Sequence, residues 1–420
     1  MSSWCKQIPS LPLIPPHQVP SIPGPIEVSD EVRFYINTVV DTAEGQPFLI
    51  AGSGTLGWDQ TAANLVEPGE NALVLHSGYF GDSFTDWYDN YVPSLVPALM
   101  IFSSLETYGA NVDQLKAKIG AAVSQEDIES ALKSKKYKLL TFTHVDTSTA
   151  VLSNAKAIAE TIALDGVCSV ASEEIHMDTW DIDIILSASQ KGLGTPPGLS
   201  ILVASKRAMQ VCTLTSSFPK LNLTPIGPGI QFQENPCNLV LRWLPIMKAY
   251  ESGNAAYFAT PPVNLIYAFH ASLSKITKSA PSLADRYKLH REASQRVKEA
   301  ATELGLKQLP LQPAFAANGM TALYYPEGLS AGDILPRLAK KGIVVAGGLH
   351  TEIKDKYFRI GHMGITAVEE SRGDVDTVIK ALKETLAEAR ATATYPSQQL
   401  ARDQNNLNQF TNTVSARARL

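Results

Sequence analysis

A chain of 420 residues, 45% of them hydrophobic and 18% charged, has ample apolar material for a large core and a length that corresponds to about two or three domains. Lys and Arg number 36 against 41 Asp and Glu, and the resulting net charge of −5 excludes the basic face of a general nucleic-acid binder. The sequence holds no uninterrupted apolar run long enough for a transmembrane helix and no basic-then-apolar leader, and Cys5, Cys168, Cys212 and Cys237 have the spacing of neither a zinc site nor a disulfide framework.

Residues 1–25 carry seven prolines, Pro9 to Pro25, and are expected to form an extended arm, because proline fixes φ and removes a backbone donor. From about residue 48 short apolar runs alternate with helical periods. Phe48–Ala51, Ala72–Leu75, Leu139–Phe142, Ile182–Leu186 and Leu199–Ala204 read as buried strands, and 57–66, 113–119, 124–134 and 150–160 as helices. Such alternation implies an α/β fold with a mostly parallel sheet that binds ligands at the carboxyl ends of its strands. A large domain is expected over 26–285 and a smaller α+β domain over 286–393. The latter begins with a charged helix over Tyr287–Leu304 and continues with strands at Ala322–Tyr325, Ile343–Val345 and Tyr357–Ile360, then an amphipathic helix around Val378–Leu386. Residues 394–420 are polar and read as a flexible tail. No internal repeat is evident.

Gly52-Ser53-Gly54-Thr55-Leu56-Gly57 lies between a predicted strand and a predicted helix, where glycine lets the backbone approach a phosphate and free helix N-terminal amides bind it. A dinucleotide site would place an acidic residue after the second strand. Here that strand ends in His76-Ser77-Gly78, with Glu67 and Glu70 ahead of it, so a single-phosphate cup is the better reading. A tight turn without a ligand remains open.

Lys191 follows the buried strand Ile182–Leu186 among small residues, before Gly192, Gly194, Pro196, Pro197 and Gly198 turn the chain back. A desolvated lysine there would serve as a nucleophile of the Schiff-base kind, although a solvated turn lysine is the ordinary alternative. Asp165 ends the apolar stretch Ile162-Ala163-Leu164, 26 residues earlier. One strand–helix–strand excursion in a parallel sheet brings both ends to the same edge, where a buried carboxylate can pair with a protonated pyridine nitrogen. A turn or helix cap is the plainer reading of Asp165. His144, Asp146, His176 and Asp178 do not make a recognised metal-ligand spacing and read as local hydrogen-bonding groups, so no metal is expected.

With these blocks in place the sequence resembles the class V aminotransferases of the aspartate-aminotransferase fold, and within them the alanine–glyoxylate (serine–pyruvate) group in its fungal form. The resemblance covers roughly 22–392. It rests on the order of Pro23-Gly24-Pro25, Gly52-Ser53-Gly54-Thr55, Thr143-His144-Val145-Asp146-Thr147-Ser148-Thr149, Asp165-Gly166-Val167-Cys168-Ser169-Val170, Ser189-Gln190-Lys191, Tyr257-Phe258-Ala259-Thr260 and Arg359-Ile360-Gly361. It implies the fold type I architecture of pyridoxal 5'-phosphate (PLP) enzymes and a homodimer. Lys191 would bind PLP covalently and shuttle a proton, and Asp165 would hold the pyridine nitrogen protonated. Ser53, Gly54, Thr55 and Gln190 would hold the phosphate, with Tyr257 and Thr260 reaching it from the neighbouring subunit. Phe80 would stack on the ring where animal relatives place a tryptophan, Val167 would pack on the opposite face, and Thr147 would bond near the ring oxygen. Arg359 would clasp the substrate carboxylate, helped by the backbone of Gly24. Plainer readings stay open for Arg359 as a surface ion pair and Tyr257 as a core or interface tyrosine. Two segments, between Pro25 and Gly52 and between Ala150 and Asp165, are shorter than the family pattern, and the second would run the 150–160 helix almost directly into the Asp165 strand.

The implied reaction moves an amino group from alanine or serine to glyoxylate in a ping-pong cycle, giving pyruvate or hydroxypyruvate and glycine. Alternatives are another class V activity such as serine–pyruvate transfer, a desulfurase (which would need a mobile cysteine near the site), a non-catalytic scaffold on the same fold, and a dehydrogenase built on the glycine loop. The ending Ala418-Arg419-Leu420 resembles the small–basic–leucine peroxisomal signal, which implies a peroxisomal import receptor as partner, with the cytoplasm or mitochondrion as alternative locations.

Overall fold

A computed structural model describes residues 31–80, 104–157, 162–214, 243 and 261–392. Its centre is a seven-stranded sheet in the order β1-β9-β8-β7-β4-β2-β3. These are β1 (Gln46–Ala51), β2 (Asn71–His76), β3 (Asn111–Lys116), β4 (Leu139–Thr143), β7 (Ile162–Asp165), β8 (Ile184–Ala188) and β9 (Leu199–Ala204). The run β8-β7-β4-β2-β3 is parallel, whereas β9 pairs antiparallel with both β8 and β1. All residues of β4, β7, β8 and β9 are buried, as expected for strands covered on both faces.

Alternate side chains feed two cores. Leu73, Leu75, Leu140, Phe142, Leu164 and Ile185 point to one face, where they meet α1 (Glu31–Val40) and the helix Val263–Lys278. Ala72, Val74, Leu139, Ala163 and Leu186 point to the other and meet α2 (Leu56–Leu65). Trp58, Ala62 and Leu65 are buried on α2 at helical spacing, which is the stripe that seats it on the sheet.

The C-terminal part packs the helix Leu283–Glu303 and the helix over 374–392 on a small antiparallel sheet, β10 (Met320–Tyr324), β12 (Tyr357–Gly361) and β11 (Ala346–Gly347) in that order. The expected domain break at 285–286 falls in the first turn of the helix Leu283–Glu303. A further apolar cluster joins the two parts: Val145, Ala150 and Cys168 pack with Leu309, Met320, Ala322 and Tyr357.

Four expectations are corrected. Residues 113–119 are not a helix: β2 offers a row of edge hydrogen-bonding groups, and Asn111–Lys116 pairs with it in parallel register, Asn71 opposite Asn111. No helix spans 150–160 among the described residues. Ala150 takes a positive φ of 60°, which turns the chain so that β6 (Val151–Leu152) pairs back on β5 (Val145–Asp146), and a single 3-10 turn follows at Ala155–Ala157. The strand expected at Ile343–Val345 is displaced to Ala346–Gly347, the residues that reach β12. The strand expected at Ile182–Leu186 runs from Ile184 to Ala188, because Asp183 is taken up in a side-chain network at the sheet's other edge. The proline-rich arm and the polar tail lie outside the described residues.

Candidate active site

The carboxyl ends of β7 and β8 meet at one edge of the sheet, with Asp165 directly opposite Leu186 in the ladder. Asp165 is the last residue of β7 and is only 3% exposed. Its Oδ1 accepts the Val167 N–H at 3.0 Å and its Oδ2 accepts the Trp58 indole N–H at 3.2 Å. Those two donors favour the ionised carboxyl, but burial outweighs them and pushes its pKa up to about 7. Lys191 stands three residues beyond β8, and its charge acts on Asp165 in the opposite sense, lowering it. The sequence predicts a desolvated amine. The structure leaves Lys191 half-buried, in the turn between β8 and β9.

The turn from β1 into α2 supplies the anion cup. Its backbone bonds run from Leu56, Gly57 and Trp58 back to Ser53, Gly54 and Thr55, so the N–H groups of Ser53 and Gly54 are not used by the turn itself. Ser53 and Thr55 are exposed while Gly54 is buried. A Cβ on Gly54 would lie 2.9 Å from Val167 Cγ2 and 3.1 Å from Ala188 Cβ, so glycine is required for β7, β8 and this turn to converge. Gln190 is exposed at the mouth beside Lys191.

Phe80 and Val167 are both half-buried and pack on the same core cluster. Phe80 is placed by Asp146, read from the sequence as a local hydrogen-bonding group; its bonds to Ser148 bear that out, and its reach to Phe80 was not foreseen. Asp146, fully buried, accepts the Ser148 N–H at 2.8 Å and the Ser148 hydroxyl at 2.6 Å on Oδ1, and the Phe80 N–H at 3.2 Å on Oδ2. Ser148 Oγ in turn accepts the Tyr79 N–H at 2.9 Å. A carboxylate and a serine two residues apart were a visible signal of such an Asx turn. Trp58 was also missed, although its place on the buried stripe of α2, four residues after Gly54, was the available clue.

Arg359 lies on β12 of the small sheet and reaches the large part. Its Nε donates to the Gly347 carbonyl at 2.8 Å and its Nη1 to the Thr147 carbonyl at 2.9 Å. Among the described residues no carboxylate pairs with it, so the surface ion-pair reading is not what the structure shows. Two of its N–H groups are committed to carbonyls and the rest of the fork is available for a carboxylate ligand. Beside it the Tyr357 hydroxyl donates to the Ser148 carbonyl at 2.5 Å and accepts the Leu349 and His350 N–H groups, each at 2.9 Å. Thr147 is half-buried between these contacts.

His144 is buried, and desolvation holds its pKa down to about 4, so it is neutral. His176 and Asp178 bond Asp41 and Thr42, respectively, away from the site, consistent with local hydrogen-bonding roles. Among the described residues no group of three or more His, Cys, Asp or Glu could hold a metal ion. Cys168 is buried with its thiol pushed up to about 12, which is unlike the mobile thiol a desulfurase needs. Asp165 at the end of β7 thus meets Lys191, Ser53, Gly54, Thr55, Val167 and Gln190 from loops and turns at one sheet edge, with Phe80, Thr147 and Arg359 on the contacts that join it. Gly24, Tyr257 and Thr260 lie outside the described residues.

Residues 95–368 match the model of the family described as aminotransferase class V. The chain is 39% identical over 344 residues to alanine–glyoxylate aminotransferase 1 of Saccharomyces cerevisiae, covering 78% of this chain and 80% of the relative. It is 25% identical to an L-aspartate–glyoxylate aminotransferase of Paracoccus denitrificans, covering 82% and 85% of the two chains. The crystal structure of an alanine–glyoxylate aminotransferase from Nostoc sp. superposes with a TM-score of 0.70 at 26% identity, covering 85% of this chain and 86% of that one. A buried carboxylate and a lysine at one sheet edge, on a chain this similar along most of its length, make it a member of the class V aminotransferase family, whose cofactor is pyridoxal phosphate.

Proposed function

We propose that this chain transfers the amino group of alanine or serine to glyoxylate by ping-pong chemistry on pyridoxal phosphate. The observation that carries the reading is the convergence of Asp165 and Lys191 at the carboxyl ends of adjacent parallel strands, with the Ser53–Gly54 amides at the same edge.

The residues present fit the cofactor. Asp165 is a buried carboxyl that two N–H donors leave only partly stabilised, and a protonated pyridine nitrogen is the cation that would complete it. Glycine at 54 lets the turn seat against Val167 and Ala188, which brings the N–H groups of Ser53 and Gly54, not used by the turn, to the edge where a phosphate would lie. When bound, pyridoxal phosphate supplies an electron sink that lets the substrate Cα release its proton. Asp165 would keep the ring nitrogen charged. Lys191 would supply the amine that holds the cofactor covalently and the base that moves a proton between the substrate Cα and the cofactor C4′. Ser53, Gly54, Thr55 and Gln190 would hold the phosphate, and Phe80 and Val167 would pack against the ring. Arg359 orients the substrate by its carboxylate, a group that alanine, serine and glyoxylate share.

A half-reaction spectrum tests this. The visible absorbance band of the purified holoenzyme should vanish on adding alanine and return on adding glyoxylate, and Lys191→Ala should show neither change. Failure of the protein to retain added pyridoxal phosphate would overturn the reading in favour of a non-catalytic scaffold. Ala418-Arg419-Leu420 is proposed as the address that delivers the enzyme to peroxisomes. Residues 409–420 fused to a fluorescent protein should give punctate signal, and a diffuse cytosolic signal would remove the claim.

A further inference from the structure

Arg286 sits in the first turn of the helix Leu283–Glu303, at the start of the small part. Its guanidinium is directed inward, is half-buried, and forms no ion pair among the described residues. Instead Nε donates to the Ala171 carbonyl at 2.9 Å and Nη2 to the Gly192 carbonyl at 2.8 Å. Ala171 lies in the turn over 167–172 that follows Asp165, and Gly192 is the residue after Lys191. These loops touch: a Cβ on Gly192 would lie 2.4 Å from the Val170 carbonyl oxygen. Ala171 has a positive φ of 65°, a conformation an alanine adopts only when its surroundings over-determine it, and its carbonyl is one of the two that Arg286 holds. The next carbonyl along, that of Leu193, accepts the Ser272 hydroxyl, so the backbone following Lys191 is fastened at successive residues.

We infer that Arg286 is a positioning residue that ties the Asp165 turn to the Lys191 loop through one planar fork and so sets the amine against the cofactor ring. This deepens the proposed function and rests on it. A guanidinium suits the task because two N–H groups in fixed geometry can bond two carbonyls at once, whereas an ammonium on a flexible stem is a point donor. A reacting group displaced by about 1 Å costs on the order of 10²-fold in rate, so loosening this tie acts on turnover before it acts on substrate affinity.

The test compares holoenzymes of the wild type, Arg286→Met, Arg286→Lys and Arg291→Ala. Arg291 lies on the same helix, exposed and paired with Glu174 at 2.9 Å, and serves as the control. Arg286→Met should lower kcat about 10²-fold, with KM for alanine within about twofold, and should weaken the visible circular dichroism of the bound cofactor, which reports how firmly its ring is held. Arg286→Lys should regain about tenfold of the lost kcat, since it can satisfy one carbonyl. Arg291→Ala should match the wild type. If Arg286→Met and Arg286→Lys only lower the melting temperature, and the folded holoenzyme keeps wild-type kcat and circular dichroism, Arg286 is a structural residue and the inference fails. If Arg286→Met does not fold, Arg286→Lys decides by the same two readouts. A wild-type holoenzyme whose visible band alanine does not bleach would instead overturn the proposed function itself.

Discussion

The two edges of the parallel sheet treat a buried aspartate in opposite ways. At the amino edge Asp183, whose side chain is 1% exposed, accepts Arg207 through both Nε and Nη2 at 2.7 Å, Ser205 Oγ at 2.7 Å and the Ile162 N–H at 3.2 Å. At the carboxyl edge Asp165 is nearly as buried yet receives only two N–H donors and no bonded cation among the described residues. The first charge is answered within the protein, as a buried ion needs. The second has no such answer among the described residues, and burial raises its pKa, as the proposed pairing with a ligand cation would require. Equal burial therefore does not imply equal role; the completeness of the partner set separates scaffold from site.

That contrast can be tested from its strongest consequence downward. Lys191→Ala should remove transamination between alanine and glyoxylate by about 10⁴-fold or more in kcat, read by pyruvate formation. Asp165→Asn should lower kcat/KM by about 10³-fold, and it should also change how cofactor-free protein responds to pH. Because the folded pKa of Asp165 is raised to about 7, the folded state binds its proton more tightly than the unfolded chain does. Its contribution to stability is thus fully present below pH ~4 and is lost as pH rises through about 7, by up to roughly 4 kcal/mol. In Asp165→Asn this loss should be absent from urea unfolding curves measured across that range, and an unchanged slope would dissolve the distinction between the two edges. Arg359→Gln should raise KM for alanine about 10²-fold with a smaller effect on kcat. Arg207→Met should act on the opposite edge alone, lowering unfolding stability by about 3 kcal/mol while kcat of the folded enzyme stays at the wild-type value.

Much of this arrangement was legible in the residues. Buried parallel strands announce themselves as apolar runs, and the lysine and aspartate beyond two of them were readable as an edge pair. Burial of Leu139–Thr143 and Leu199–Ala204 accords with that reading. What could not be read were features decided by partners distant in sequence. Asn111–Lys116 is a half-exposed edge strand with no buried residue, and its polar composition gives little hint that β2 will template it. Val151–Leu152 folds back on Val145–Asp146 instead of extending a helix. The degree to which Lys191 is shielded likewise depends on where its loop lies over the sheet edge, a tertiary fact without a local signal. Trp58 and Asp146, by contrast, belonged to recognisable local patterns.

The contacts of Tyr357 and Arg359 with the Thr147–Ser148 turn bear on how the small part is held. Both side chains reach from the small sheet to main-chain oxygens of the large part, so the tie is made to backbone and does not depend on which side chains stand at 147 and 148.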